Sequence, residues 1–181
     1  MIKFNSAKTR CGNAICKPSL HNDISSDFIC LETAIVEIDD LREHERIDKK
    51  YCEQLKRRIQ KDGIIKKAIA VDRSTGVILD GHHRLNALRN LGCKRIPAVL
   101  VDYNSPIIQV LAWHKDKVNK QIVIEAGMTQ NKLPPKTSKH IVTINGVSKH
   151  ISYIEKTVNI PLWVLIQDNC DVLLTKSGCK M

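Results

Sequence analysis

Between Leu31 and Leu165 the apolar positions of the chain fall at two spacings, a period near two and a period near 3.6, while the flanking segments show neither. Thr33 to Ile38 alternates as a half-buried strand does, Asp39-Asp40 offers a cap, and Leu41 to Glu45 reads as a short turn or helix start. Lys49 to Asp62 carries Cys52, Leu55 and Ile59 on one helical face and stops at Gly63. Ala68 to Asp72 is a strand, Arg73 to Gly76 a hairpin turn, and Val77 to Leu79 the partner strand. Leu85, Leu88 and Leu91 then predict a helix from His82 to Leu91, with Gly92 as its stop. Ile96 to Tyr103 is a nearly continuous apolar strand, Asn104-Ser105-Pro106 turns the chain, and Ile107 to Trp113 is a further strand. Val118 to Ala126 is expected to be a helix ended by Gly127. Leu133 to His140 is expected to be a loop because of its prolines, and Ile141 to Ile144 a last strand. Residues 1–30, with Gly12, Asn13, Pro18 and Ser25-Ser26, read as an irregular extension, and residues 167–181 as a polar tail.

Within this pattern the turn Asp80-Gly81-His82-His83-Arg84 joins a buried strand to the start of a helix. The first N–H groups of a helix lack intrahelical partners, and the positive end of its dipole points outward, so an anion is favoured there. Gly81 allows close approach of a ligand to the backbone, and two imidazoles with a guanidinium make phosphate the natural anion. A plainer reading uses the same residues: Asp80 as a helix cap and Arg84 paired with a surface carboxylate. A second anion-site candidate is the stretch Lys136-Thr137-Ser138-Lys139-His140, which gathers two ammonium groups, two hydroxyls and an imidazole; read neutrally, it is a polar connector.

Composition narrows the class. The chain has 181 residues, enough for one domain with extensions, and 43% hydrophobic residues, enough for a core. No apolar run approaches the roughly 20 residues of a membrane helix, and Met1 to Lys17 has no apolar stretch of the signal-peptide kind, so a cytoplasmic protein is expected. The seven cysteines are odd in number and contain no Cys-x-x-Cys pair, which suits reduced thiols in a reducing compartment. A net charge of +10 raises nucleic acid as a partner, but the basic residues are scattered and only three Tyr, two Phe and two Trp could stack on bases.

The order strand, helix, β-hairpin closing on Asp-Gly-x-His-Arg, then Leu-Gly-Cys-Lys-Arg-Ile-Pro leading into a strand, resembles the ParB/sulfiredoxin superfamily. Its narrower likeness is to the free L-serine kinases. That likeness is carried by Leu41 to Ile47 around His44-Glu45, Asp80 to Arg84, Ala87 to Tyr103, Trp113, the late Pro-Lys-Thr-Ser-Lys-His, and Asn159-Ile160-Pro161-Leu162. Here Ser138 and Lys139 stand where the family has Thr and Arg, and a lysine cannot reproduce a bidentate guanidinium contact. His82 occupies the place of the sulfiredoxin nucleophilic cysteine, which excludes thiol phosphoryl chemistry at that position, and no helix-turn-helix of the ParB kind follows.

The resemblance implies an α/β (α+β) fold, a mixed sheet flanked by helices with a small C-terminal subdomain. It divides the chain into a nucleotide-binding domain over residues 31–113 and a substrate-site segment over residues 114–166. It further implies phosphoryl transfer from ATP or ADP to the hydroxyl of free L-serine, with Mg²⁺ as cofactor and O-phospho-L-serine as a product that could feed cysteine synthesis. Glu45 would be the general base, oriented by His44. Asp80, Gly81, His82, His83 and Arg84 would hold the nucleotide phosphates, Asp80 also the metal. Trp113, Lys136, Thr137, Lys139 and His140 would wall the amino-acid site. His114 and His150 are read as surface or packing histidines. The alternative class is a ParB-like module that binds nucleotide and DNA, or a regulator that has kept the pocket without turnover.

Overall fold

The computed structural model describes residues 31–113 and 117–167. The expected extension over residues 1–30, His114 and the tail beyond Gln167 lie outside the described residues.

Four strands, β1 (Glu32–Glu37), β3 (Ile69–Asp72), β4 (Ile78–Asp80) and β5 (Arg95–Val101), form the central sheet in the order β1-β5-β3-β4. β5 runs antiparallel to β1 and parallel to β3, and β4 runs antiparallel to β3, so the sheet is mixed. Every residue of β5 is buried. Its alternate side chains feed two apolar layers: Ile96, Ala98 and Leu100 pack with Ile69, Val71 and the helices, while Val99 and Val101 pack with Ala70, Tyr103, Ile108 and Val142. A strand covered on both faces has no polar side to alternate with, which explains the unbroken apolar run in the sequence.

The helical layer is α1 (Lys49–Asp62) against α2 (His82–Asn90), joined through Cys52, Ile59, Leu85 and Leu88. α1 starts at Asp48, whose carboxylate accepts from Tyr51 N at 3.0 Å, and ends at Gly63 with φ +68°, where only glycine is unstrained. Beyond β5, a second sheet of β6 (Ile108–Ala112), β7 (Ser138–Ile144) and β8 (Val147–His150) carries α3 (Lys120–Thr129) on its connection. A short strand β2 (Ile64–Lys67) pairs with β9 (Thr157–Pro161), and α4 (Leu162–Ile166) closes on β5 by burying Leu165. The packing therefore crosses the 113/114 boundary: β9 returns to α1's own strand, and Val142 and Ile154 share a core with Ala70 and Val99.

Three local expectations change. Leu41 to Glu45 is not helical; it runs extended, bridging Arg42 to Val77 and Glu45 to Leu133, because its backbone groups find partners on both sides. Gly127 does not end α3, which continues to Thr129 with Gln130 at φ +59°. The glycine is there for packing, since a Cβ would lie 2.7 Å from Val77 Cγ2. Ser138 to His140 belongs to β7 rather than to a loop, its ladder with β6 overriding the prolines upstream.

Candidate functional site

A cavity of about 530 Å³ opens where β4 runs into α2. Its floor is Asp80 and Gly81. Gly81 sits at φ +104°, and a Cβ there would lie 2.8 Å from Ile69 Cβ, so both backbone conformation and space demand glycine. Its N–H donates to Asp80 Oδ1 at 2.8 Å, and no side chain caps α2, which leaves the N–H groups of His82, His83 and Arg84 without intrahelical partners. This end of the cavity can receive an anion.

The opposite wall is Glu45. Both of its carboxylate oxygens are held where the loop runs into β7: Oε1 accepts from Lys136 N at 2.5 Å, and Oε2 accepts from Ser138 N at 3.1 Å with Ser138 Oγ at 3.0 Å. Leu133 N donates to His44 O and Arg46 N to Leu133 O, so the segment carrying Glu45 is zipped to the same loop. Upstream, Glu43 is buried and clamps this segment onto α2. Against the upward push of burial, hydrogen bonds from Asn86 and Arg89 and the charge of Lys132 hold its carboxyl below the usual range.

Between the two walls lie three imidazoles. His44 is fully buried and meets the His82 and His140 rings edge-on at centroid distances of 4.6 and 5.6 Å. Burial lowers all three from the ordinary imidazole range, His140 to about 3 and His82 well below its usual value, and their mutual repulsion adds to the effect at His82 and His140. His140 Nε2 is 2.9 Å from Tyr103 Oη, whereas His82 Nε2 is buried with no protein partner. The imidazoles thus act as neutral dipoles, not cations.

The remaining expected residues are distributed as follows. His83 accepts from Asp48 N at 3.1 Å and stands edge-on to Tyr51. Arg84 borders the cavity, but its guanidinium is turned inward: it donates to Ala68 O at 2.7 Å, pairs through both terminal nitrogens with Glu155, and lies 3.7 Å from Asp80 Oδ2. Burial pushes Glu155 up to about 7 despite this pairing, and the nearby Asp80 carboxylate acts in the same sense. Trp113 and Lys136 form part of the rim. Thr137 is buried with Oγ1 bonded to Pro134 O at 2.8 Å, and Lys139 places its ammonium 4.7 Å from the Trp113 ring centre; neither lines the cavity. Tyr51 and His150 do line it and were not expected to, and Ser138, expected only as part of the second anion-site stretch, lines it as well. Tyr51 lies in the first turn of α1, one turn before Leu55 at the edge of the apolar face, and that i, i+4 spacing was the one available signal.

Asp80 presents one carboxylate beside uncapped N–H groups, and among the described residues no group of three His, Cys, Asp or Glu could enclose a metal. A single carboxylate is compatible with Mg²⁺ that takes its other ligands from phosphates and water.

No family model matches the chain. It is 30% identical over 88 residues to the ATP-dependent L-serine kinase of Staphylothermus marinus, covering 46% of this chain and 35% of the relative. It is 32% identical over 88 residues to the ADP-dependent L-serine kinase of Thermococcus kodakarensis, covering 46% and 36%. The chain thus spans about a third of the length of these curated relatives. In fold it is similar to a free serine kinase solved with AMP, with a TM-score of 0.63 at 16% identity over 75% of this chain and 94% of that one.

Proposed function

We propose that this chain is a member of the serine kinase family in the ParB-like superfamily and transfers a phosphoryl group from ATP or ADP to the hydroxyl of free L-serine, giving O-phospho-L-serine. The observation that carries this reading is a carboxylate, Glu45, fixed by two backbone N–H groups on one wall of a cavity whose other end is an uncapped helix N-terminus. Phosphoryl transfer needs alignment, charge neutralisation and a proton acceptor more than covalent chemistry.

In this reading the N–H groups of His82, His83 and Arg84 take the phosphate chain. Tyr51 and Leu55 border the same cavity and give the nucleotide an apolar wall. Mg²⁺, when bound, would be held by Asp80 and would neutralise phosphate charge. Lys136 meets the carboxylate of serine, with Trp113 and His150 beside it at the rim, and Glu45 takes the hydroxyl proton as the new O–P bond forms. Thr137 and Lys139 act through the shape of the loop and the seating of Trp113. Arg84 fixes Asp80 and the helix start from behind. No helix among the described residues is long and apolar enough to cross a membrane, and Cys52 and Cys93 are buried free thiols.

Phosphorus NMR of the protein with L-serine and ATP or ADP tests the reading. Phosphoserine from the wild type and none from Glu45→Gln, with nucleotide-induced thermal shifts alike in both, is the expected result. No phosphoserine with either donor, together with a CTP-induced shift and salt-sensitive DNA retention, would replace it with the ParB-like binding module.

A further inference from the structure

The hydrogen bonds behind Glu45 cannot all be made while His44 is neutral and Glu45 is ionised. His44 Nδ1 lies 2.7 Å from Ile78 O, and a carbonyl only accepts, so Nδ1 carries the hydrogen. In the neutral ring, which burial favours, Nε2 is then an acceptor, and Ser138 Oγ lies 2.8 Å from it. The same Oγ lies 3.0 Å from Glu45 Oε2. A hydroxyl has one hydrogen. If it goes to His44, the contact with Glu45 needs a hydrogen on the carboxyl; if it goes to an ionised Glu45, a buried imidazole nitrogen loses its donor. With the ring neutral, the three groups are satisfied together only when Glu45 has gained a proton; the other arrangement, a proton on His44 Nε2 relayed through Ser138 to an ionised Glu45, puts a charged imidazolium at a fully buried position.

We propose that Ser138 and His44 are positioning residues that hold the protonated form of Glu45 after it has taken the proton of the acceptor hydroxyl. Ser138 turns its hydroxyl hydrogen from Glu45 to His44 Nε2 and accepts the carboxyl O–H in return. This deepens, and rests on, the kinase reading of the same site. The balance is simple: the O–H bond of the acceptor breaks and its hydrogen passes to Glu45 Oε2, the O–P bond forms as the P–O bond to the departing nucleotide breaks, and the Ser138 O–H bond only rotates. The imidazole stays neutral throughout. The other titratable groups facing this chain of atoms are His82 and His83 from α2, His140 from β7 and Lys136 from the loop.

The test uses the full chain as wild type, Ser138→Ala and Ser138→Thr, with two readouts. Nitrogen-15 NMR of the histidine rings through the acid titration should show His44 keeping its Nδ1–H tautomer while Nε2 shifts in one step. That step should vanish in Ser138→Ala and persist in Ser138→Thr. In serine phosphorylation, Ser138→Ala should lose about tenfold in kcat, the worth of one hydrogen bond, with nucleotide KM unchanged. Its acid limb should move to lower pH, and Ser138→Thr should recover both. A His44 in the Nε2–H tautomer, or the same step in Ser138→Ala, overturns the inference. If Ser138→Ala removes the step but keeps wild-type kcat and pH profile, the role in turnover is likewise refuted. A wild type that shows the step yet makes no phosphoserine sinks the kinase reading and leaves the proton-holding arrangement standing.

Discussion

Replacing His140 by Gln should remove a measurable share of the protein's sensitivity to acid. His140 is 2% exposed, and burial holds it at about 3 against an ordinary value of 6.5, so the folded state keeps it neutral where the unfolded chain would protonate it. The unfolded state then binds more protons, stability rises with pH, and the contribution is intact above 6.5 and lost as pH falls towards 3. At about 1.4 kcal/mol per pH unit, the loss from His140 alone reaches about 2 kcal/mol by about pH 5. His82 and His44 act in the same direction. Glu155, pushed up to about 7, acts oppositely, since its folded state holds the extra proton and gains as pH falls. Comparing the two proteins cancels the contribution of Glu155 and the larger, burial-caused part of those from His82 and His44. Urea unfolding of wild type and His140→Gln at about pH 7.5 and about pH 5 should give a pH-induced loss smaller by about 2 kcal/mol in the variant, with equal m-values. Equal losses in the two would refute the claim that His140 is held neutral.

Two further substitutions probe the frame around the site. Gly127→Ala should destabilise by about 1–2 kcal/mol in urea unfolding although alanine is the better helix former, because its methyl meets Val77; adding Val77→Ala should recover part of that loss, and a stabilising Gly127→Ala would disprove the packing account. Glu43→Gln should lower stability by about 1–3 kcal/mol at neutral pH by loosening the bonds from Asn86, Arg89 and Lys132. Since the carboxyl of Glu43 is held below 4.5, that difference should persist above 4.5 and shrink as pH falls below it; a gap independent of pH would point away from charge.

How far the structure is legible in the sequence depends on whether a feature is local. α1 could be read to its ends because its cap, apolar stripe and αL glycine are adjacent in the chain. β5 could be read because burial on both faces erases polar positions. β2 and β9 could not: Ile-Ile-Lys-Lys and Thr-Val-Asn-Ile-Pro are too short and too polar to announce themselves, and each becomes a strand only by meeting the other. At the candidate site, the Asp80–Arg84 bend is a local signature, whereas the inward turn of Arg84 depends on Glu155, far along the chain. Ser138 stands out in the sequence only as a hydroxyl of the second anion-site stretch and as a departure from a family pattern. Its place between Glu45 and His44 is a fact of three-dimensional proximity, with β7 bringing it there through its ladder to β6.

The two backbone bonds that Glu45 accepts where the loop runs into β7 have a bearing on how such chains diverge. A side chain that fastens a loop, and under the proposed mechanism also receives a proton, is retained for its mechanical duty if chemistry is lost, so finding glutamate at this position in a descendant says little about whether that descendant turns over. The hydroxyl at position 138, free to drift once no proton has to be parked, is the more telling relic to look for.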